Sequence, residues 1–161
     1  MLVALYVGSH ARDELAVRIG WRLTRLAQKG EFQDVTHCEA ILQQWRPGVA
    51  DIASSSLRDG GVRIRPHVAL TPGAWRIVDV PVWDALAARA WFEQHAGEPY
   101  DTRGAMATVL PGRGRPGHWF CNESVGAAVG LRTPDLFMPA QFAAIAFTIG
   151  REVTTDFFGG A

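Results

Sequence analysis

The sequence of 161 residues holds only two cysteines, Cys38 and Cys121. That is too few for the disulfide framework that staples small secreted domains. A Cys38–Cys121 bridge is the minority expectation, because free buried cysteine is common. An excess of one charge is lacking too. Sixteen Lys and Arg balance sixteen Asp and Glu, which argues against a nucleic-acid partner held by a basic surface. The local exception is Arg103, Arg113 and Arg115, which lie close together in sequence. No apolar run reaches the roughly 20 residues that cross a bilayer, so no membrane span is expected. The N-terminus, Met1 to Gly8, is apolar but has no basic region before it, and no signal peptide is visible. A cytoplasmic protein is therefore expected, unless it is exported by another route or carried in a particle. Repeats and low-complexity tracts are missing. No paired His/Cys spacing suggests a metal site. Gly112-Arg113-Gly114 lacks the strand–loop–helix setting of a phosphate-binding loop, so neither metal nor cofactor is expected. No residue pattern specifies an oligomeric state.

What is present is a core. Apolar residues make up 48% of the chain, enough for one folded domain over residues 1–161. Met1 to Gly8 reads as a buried first strand. Ala11 to Lys29 reads as an amphipathic helix, with Leu15, Ile19, Leu23 and Leu26 at helical spacing and Gly30 as its stop. Asp34 to Leu42 reads as a strand that shows His37 and Glu39 on one face and Cys38 on the other. Pro47-Gly48 marks a turn before a strand over Val49 to Ser54. Asp59-Gly60-Gly61 predicts a hairpin into Val62 to Arg65. Trp75 to Val80 is the next strand. Asp84 is placed to cap a helix over Ala85 to Ala96, which Gly97 ends.

Tyr100 to Gly104 leads to a short apolar segment ending near Leu110. Residues 111–117 read as an exposed loop. Cys121 to Val129 reads as a helix beginning at the cysteine. Pro134 and Pro139 flank a further loop, Gln141 to Ala146 is a helical turn, and Phe147-Thr148-Ile149 is a candidate closing strand. Trp21, Trp75, Trp83 and Trp91 fall at core positions. The order predicts an α+β domain with an antiparallel sheet or half-barrel packed against helices.

Chemistry concentrates at Cys121. Unpaired N–H groups at a helix start stabilise a thiolate and lower its pKa, and they can hold a developing oxyanion. A nucleophilic cysteine also needs a base and an orienting group. Of the five histidines, His37 is the one inside an apolar strand, with Glu39 beside it to fix its tautomer and raise its pKa. His10, His67 and His95 read as solvated, and His118 borders the loop. Against this stands the general rule that a cysteine at a helix start, or a strand His–Glu pair, is more often structural. Spacing alone does not bring residues 37 and 121 together. By strand alternation Cys38 is core.

Three stretches together resemble the circularly permuted NlpC-type papain-like cysteine hydrolases, whose arrangement lecithin:retinol acyltransferase-like enzymes share. They are Thr36-His37-Cys38-Glu39-Ala40-Ile41, Gly97-Glu98-Pro99-Tyr100-Asp101 and Trp119-Phe120-Cys121-Asn122-Glu123-Ser124-Val125. They match family texts of about "S-H-x-E", "G-x-x-Y-D" and "F-C-S-E-L". Ordinary papain-like enzymes place the nucleophile helix before the histidine strand; here His37 comes first, the permuted order.

The resemblance implies a permuted papain-like domain with the nucleophile at a helix N-terminus. It implies Cys121 as nucleophile, His37 as base and Glu39 as the third polar residue. Asp51, Ser54, Ser55 or Ser56 from the neighbouring strand are alternatives for that third place. Tyr100 would line the cleft, Trp119 would contact substrate, and Asp101 would cap the next helix. Asn122 departs from the family's serine, at a position where the backbone N–H matters more than the side chain. The implied activity is hydrolysis of an amide in a small peptide, such as one from bacterial cell walls, through a thioester. Acyl-lipid hydrolysis or acyl transfer on the same fold is an alternative. So is a non-catalytic peptide- or partner-binding module in a phage or secretion assembly.

Overall fold

The computed structural model describes residues 1–9, 15–107 and 114–160. His10, the start of the first predicted helix, and the segment containing Leu110 and Arg113 lie outside the described residues. The apolar N-terminus forms β1 (Leu2–Tyr6), with Val3, Ala4 and Leu5 fully buried. After α1 (Leu15–Ala27) come β2 (His37–Arg46), β3 (Val49–Ser56), β4 (Gly61–Ala69) and β5 (Trp75–Asp79). Then follow α2 (Ala85–Gln94), α3 (Thr102–Ala107), α4 (Cys121–Ala128) and α5 (Pro139–Ile149). A two-residue β6 (Arg151–Glu152) and α6 (Thr154–Phe157) complete the described elements.

The strands make one open six-stranded sheet in the order β4-β3-β2-β1-β5-β6, and every neighbouring pair is antiparallel. Strand alternation sorts the side chains into two cores. Val3, Leu5, Cys38, Ala40, Ala53 and Val78 face α2, α4 and α5, meeting Phe92, Val125, Phe142 and Ala146. Ala4, Ile41, Ile52 and Ile77 face the other way, toward Val153 and Phe157. Phe92 and Phe142 are fully buried, each contributing roughly 2–3 kcal/mol by removing its ring from water.

The predicted hairpin and caps are present. Asp84 Oδ1 accepts from the N–H groups of Leu86 at 2.8 Å and Ala87 at 3.3 Å. Asp101 Oδ1 accepts from Gly104 N at 2.7 Å and so caps α3. Its other oxygen accepts from Arg115 N at 2.9 Å, which ties the end of the 111–117 loop to that helix. No helix among the described residues is long and apolar enough to cross a membrane.

Three expectations are corrected. Phe147-Thr148-Ile149 is the last turn of α5 and not a strand. Pro139 starts that helix, Gln141 Oε1 accepts from Met138 N at 2.8 Å, and Thr148 Oγ1 donates to Ala144 O at 2.7 Å. Packing of Phe142, Ala143 and Ala146 carries the helix through residues whose own preference is for strands. The closing strand is β6 instead. On α1, Ile19 and Leu26 are exposed, and the side chains of Leu15, Trp21 and Leu23 lie outside the described residues. The helix is held at its end by Gln28, which donates to Val35 O at 2.8 Å and accepts from Ala140 N at 2.7 Å. Third, His95 is half-buried and not freely solvated. It caps α2 and stacks on Trp91 at 4.0 Å. Trp83 is buried as expected, whereas Trp75 and Trp91 are half-buried at the margins of the two cores.

Candidate active site at the mouth of the sheet

The β2–β3 register runs from Arg46↔Val49 up to Ala40↔Ala53 and stops there. His37, Cys38 and Glu39 are therefore not zipped to Ser54, Ser55 and Ser56. The first turn of α4 fits this opening. Ser55 N donates to Ser124 Oγ at 2.9 Å, Ser55 Oγ to Trp119 O at 2.6 Å, and Ser54 Oγ to Cys121 O at 3.5 Å. From the other strand, the Cys38 backbone N–H donates to the Cys121 sulfur. His37 and Cys38, consecutive on β2 with side chains that leave the strand on opposite sides, both act on the Cys121 thiol.

Both cysteines are free and buried. Cys38 is core, as alternation predicts, but it is core packed against Cys121, which alternation does not reveal. Its S–H bond to Cys121 is the largest influence lowering the Cys121 pKa. Burial opposes it, and the charge and hydrogen bond of His37 add to the lowering, so the thiol ends well below its usual range. Burial pulls the His37 pKa down, but the Cys121 and Glu39 charges outweigh it and bring it to about 9. Both shifts favour the thiolate–imidazolium form of the pair. The Cys38 thiol is pushed up, by burial first and by the neighbouring thiolate second, and stays protonated.

Glu39 is the third member. His37 Nε2 lies 2.7 Å from Glu39 Oε1, and Glu39 is almost fully buried. Burial would raise the Glu39 pKa, but Arg63 and then His37 overcome it and hold the carboxyl at about 2. Arg63 was not anticipated. It lies on β4 opposite Ser54, one row beyond the last β2–β3 pair, where the short Ser54 side chain leaves room for a long pair to meet across it. Val62-Arg63-Ile64 hinted at it, as a charge between apolar strand residues, but register across three strands is not readable locally. The alternatives for the third place go elsewhere. Asp51 accepts from Trp45 Nε1 at 2.7 Å and His67 N at 3.0 Å. Ser54 and Ser55 bind α4, and Ser56 bonds Asp59.

Tyr100 stands beside the thiol. Burial, then the charge of Cys121, pushes its hydroxyl pKa up, so it is a donor, and it has no hydrogen-bond partner among the described residues. Tyr100 also lines a hollow of about 510 Å³ with Arg103, Arg115 and His118; two of the three clustered arginines thus share one recess. Trp119 is placed differently. Its backbone bridges Tyr100, while its ring stands edge-on to Trp91 at 5.0 Å and its N–H donates to Glu98. Asn122, fully buried, donates to Phe137 O, and its Oδ1 lies 3.7 Å from Cys121 Sγ. Glu123 Oε2 accepts from Phe120 N at 3.3 Å, and burial lifts its carboxyl to about 7. Among the described residues no three His, Cys, Asp or Glu side chains converge as metal ligands do.

The chain matches no protein-family model, and no curated protein or solved structure shows significant similarity to it.

Proposed function

We propose that this chain is a cysteine hydrolase that cleaves an amide bond in a small peptide, of the kind found in bacterial cell walls, through a thioester intermediate. One observation carries the reading: an unbroken line of contacts from Cys121 to His37 to Glu39, at the start of a helix. The preformed ion pair supplies the nucleophile and the acid together. The thiolate attacks the carbonyl carbon. His37 gives its proton to the departing amine as the C–N bond breaks, then takes one from the water that releases the acyl group and restores the thiolate. The N–H groups opening α4 and the Tyr100 hydroxyl are donors for the oxyanion. The ordered sequence matches around His37, Tyr100 and Cys121 support placing the chain with the permuted NlpC-type papain-like hydrolases.

Iodoacetamide labelling at pH 7, followed by a panel of wall-peptide fragments and acyl esters with wild type and Cys121→Ala, tests the reading. Cys121 should label faster than an unperturbed thiol and lose that advantage in His37→Ala. Turnover of a peptide should vanish in Cys121→Ala. Ordinary labelling unaffected by His37→Ala would sink the activated-thiolate claim, and turnover of esters alone would move the substrate to acyl lipids.

A further inference from the structure

We propose that Arg63 is a positioning residue of the Cys121–His37 pair, a guanidinium that holds Glu39 as a fixed carboxylate while His37 changes charge during turnover. The proposal rests on the hydrolase reading above and names a residue that reading does not need for the chemical steps themselves.

Arg63 grips both oxygens of Glu39, with Nη2–Oε1 at 2.5 Å and Nη1–Oε2 at 2.8 Å. Behind it, Nε donates to Asp59 Oδ2 at 2.7 Å, and Nη1 also reaches Ser54 O at 3.1 Å. The Arg63 side chain is 15% exposed and that of Glu39 3%. A forked pair of this kind fixes orientation as well as charge. Stability is a weak reason for such a pair, because removing two charges from water offsets most of their attraction. Position is a stronger one. Glu39 Oε1 receives His37 and Arg63 together, so the guanidinium is set one carboxylate away from the base.

The consequence appears when the charges are followed through a cycle. With thiolate and imidazolium both present, Glu39 faces a cation in His37. Once the thioester has formed, the thiolate charge is gone and His37 is neutral, having given its proton to the amine. A buried carboxylate facing a neutral imidazole would take up a proton and could no longer stabilise the imidazolium that forms when His37 draws a proton from water. Arg63 keeps a cation on Glu39 in that state. The charged and titratable groups around His37 are Cys121 from α4, Cys38 and Glu39 from β2, and Arg63 from β4; Asp59 lies behind Arg63 and Tyr100 beyond Cys121. Arg63 is the only cation among these besides His37 itself. Its loss therefore raises the proton affinity of the His37–Glu39 unit.

The test uses p-nitrophenyl acetate, whose burst reports thioester formation and whose steady state reports thioester hydrolysis. In Arg63→Gln the rising limb of kcat against pH should move upward by about one unit, and Arg63→Lys should show a smaller shift in the same direction. A second readout is the His37 imidazole followed by NMR in a Cys121→Ser background, which has no thiolate. There Arg63→Gln should raise the His37 pKa. If Arg63→Gln does not fold, the Lys variant carries both measurements. A fall in rate or melting temperature with the limb and the His37 titration unmoved would make Arg63 merely structural and overturn the proposal. A wild type that neither bursts nor labels at Cys121 would instead overturn the hydrolase reading, and this proposal with it.

Discussion

Glu39 Oε1 lies 2.7 Å from His37 Nε2, so the carboxylate engages that ring nitrogen and not Nδ1. Glu39 is itself held by Arg63, so replacing it exposes two dependencies at once. Glu39→Gln keeps the shape, removes the charge that supports the imidazolium, and should lower the His37 pKa and slow turnover by roughly 10²–10⁴-fold. Both substitutions should also destabilise the fold, because Arg63 loses its buried anionic partner: Glu39→Ala by about 3–5 kcal/mol, and Glu39→Gln by less, since its amide oxygen still accepts from Arg63. Chemical denaturation and steady-state kinetics on the two variants check both statements. Equal stability of Gln and Ala variants would contradict the second.

Cys38 makes a prediction that concerns the thiol alone. Its S–H bond to Cys121 is the foremost influence lowering that pKa. In Cys38→Ala the lower pH limb of iodoacetamide labelling should move upward, and Cys38→Ser, which restores a donor, should move it back. Labelling stoichiometry and peptide mapping separate the two cysteines. A limb indifferent to residue 38 would mean that His37 and the helix start suffice.

Glu123 links the site to pH-dependent stability. Its carboxyl is raised to about 7 by burial, above its unfolded value of roughly 4.3. The folded state then holds the proton more tightly, so stability is highest below that unfolded value and declines as pH rises toward 7. Glu123→Gln keeps an oxygen for the Phe120 N–H and removes the buried charge. It should be stabilising at pH 8, on the order of 1–2 kcal/mol, and nearly neutral at pH 4. His37 follows the same direction at higher pH, and Glu39 runs the opposite way. The raised His37 contributes stability that is full below roughly 6.5 and lost through about 9. The depressed Glu39 contributes stability that is present above roughly 4.3 and lost toward about 2. Melting temperature measured from pH 2 to 9.5 reads all three.

Gly61 is a purely geometric prediction. Its φ is +157°, and a Cβ there would overlap the carbonyl oxygen of Glu98, next to the Gly61↔Pro99 bridge that leads into Tyr100. Gly61→Ala should cost about 2–4 kcal/mol and should impair the site by shifting Tyr100, whereas Gly60→Ala meets no neighbour and carries only its backbone strain. Comparable losses from the two variants would remove the close approach as the reason.

The alternation of β2, the turn residues and the cap residues are local properties, and each is readable in the chain. His37 and Glu39 two apart on a strand had to share a face; Asp84 and Asp101 had to find helix starts; Cys121 followed by small and apolar residues had to open a helix. The ordered set His37, Tyr100, Cys121 was legible for the same reason, since it depends on residue type and order. What required the tertiary structure is everything that depends on where strands stop pairing. The parting of β2 from β3 after Ala40↔Ala53 lets α4 bring Cys121 within reach of both His37 and Cys38, which alternation had assigned to opposite sides. The same row across three strands sets Arg63 on Glu39 over a serine. Such contacts are fixed by sheet register and by the point at which it breaks, and these are summed over the whole sheet, not carried by any one segment. The fate of Phe147-Thr148-Ile149 has the same cause: its own residues favour a strand, and the packing of Phe142 and Ala146 beneath it makes a helix.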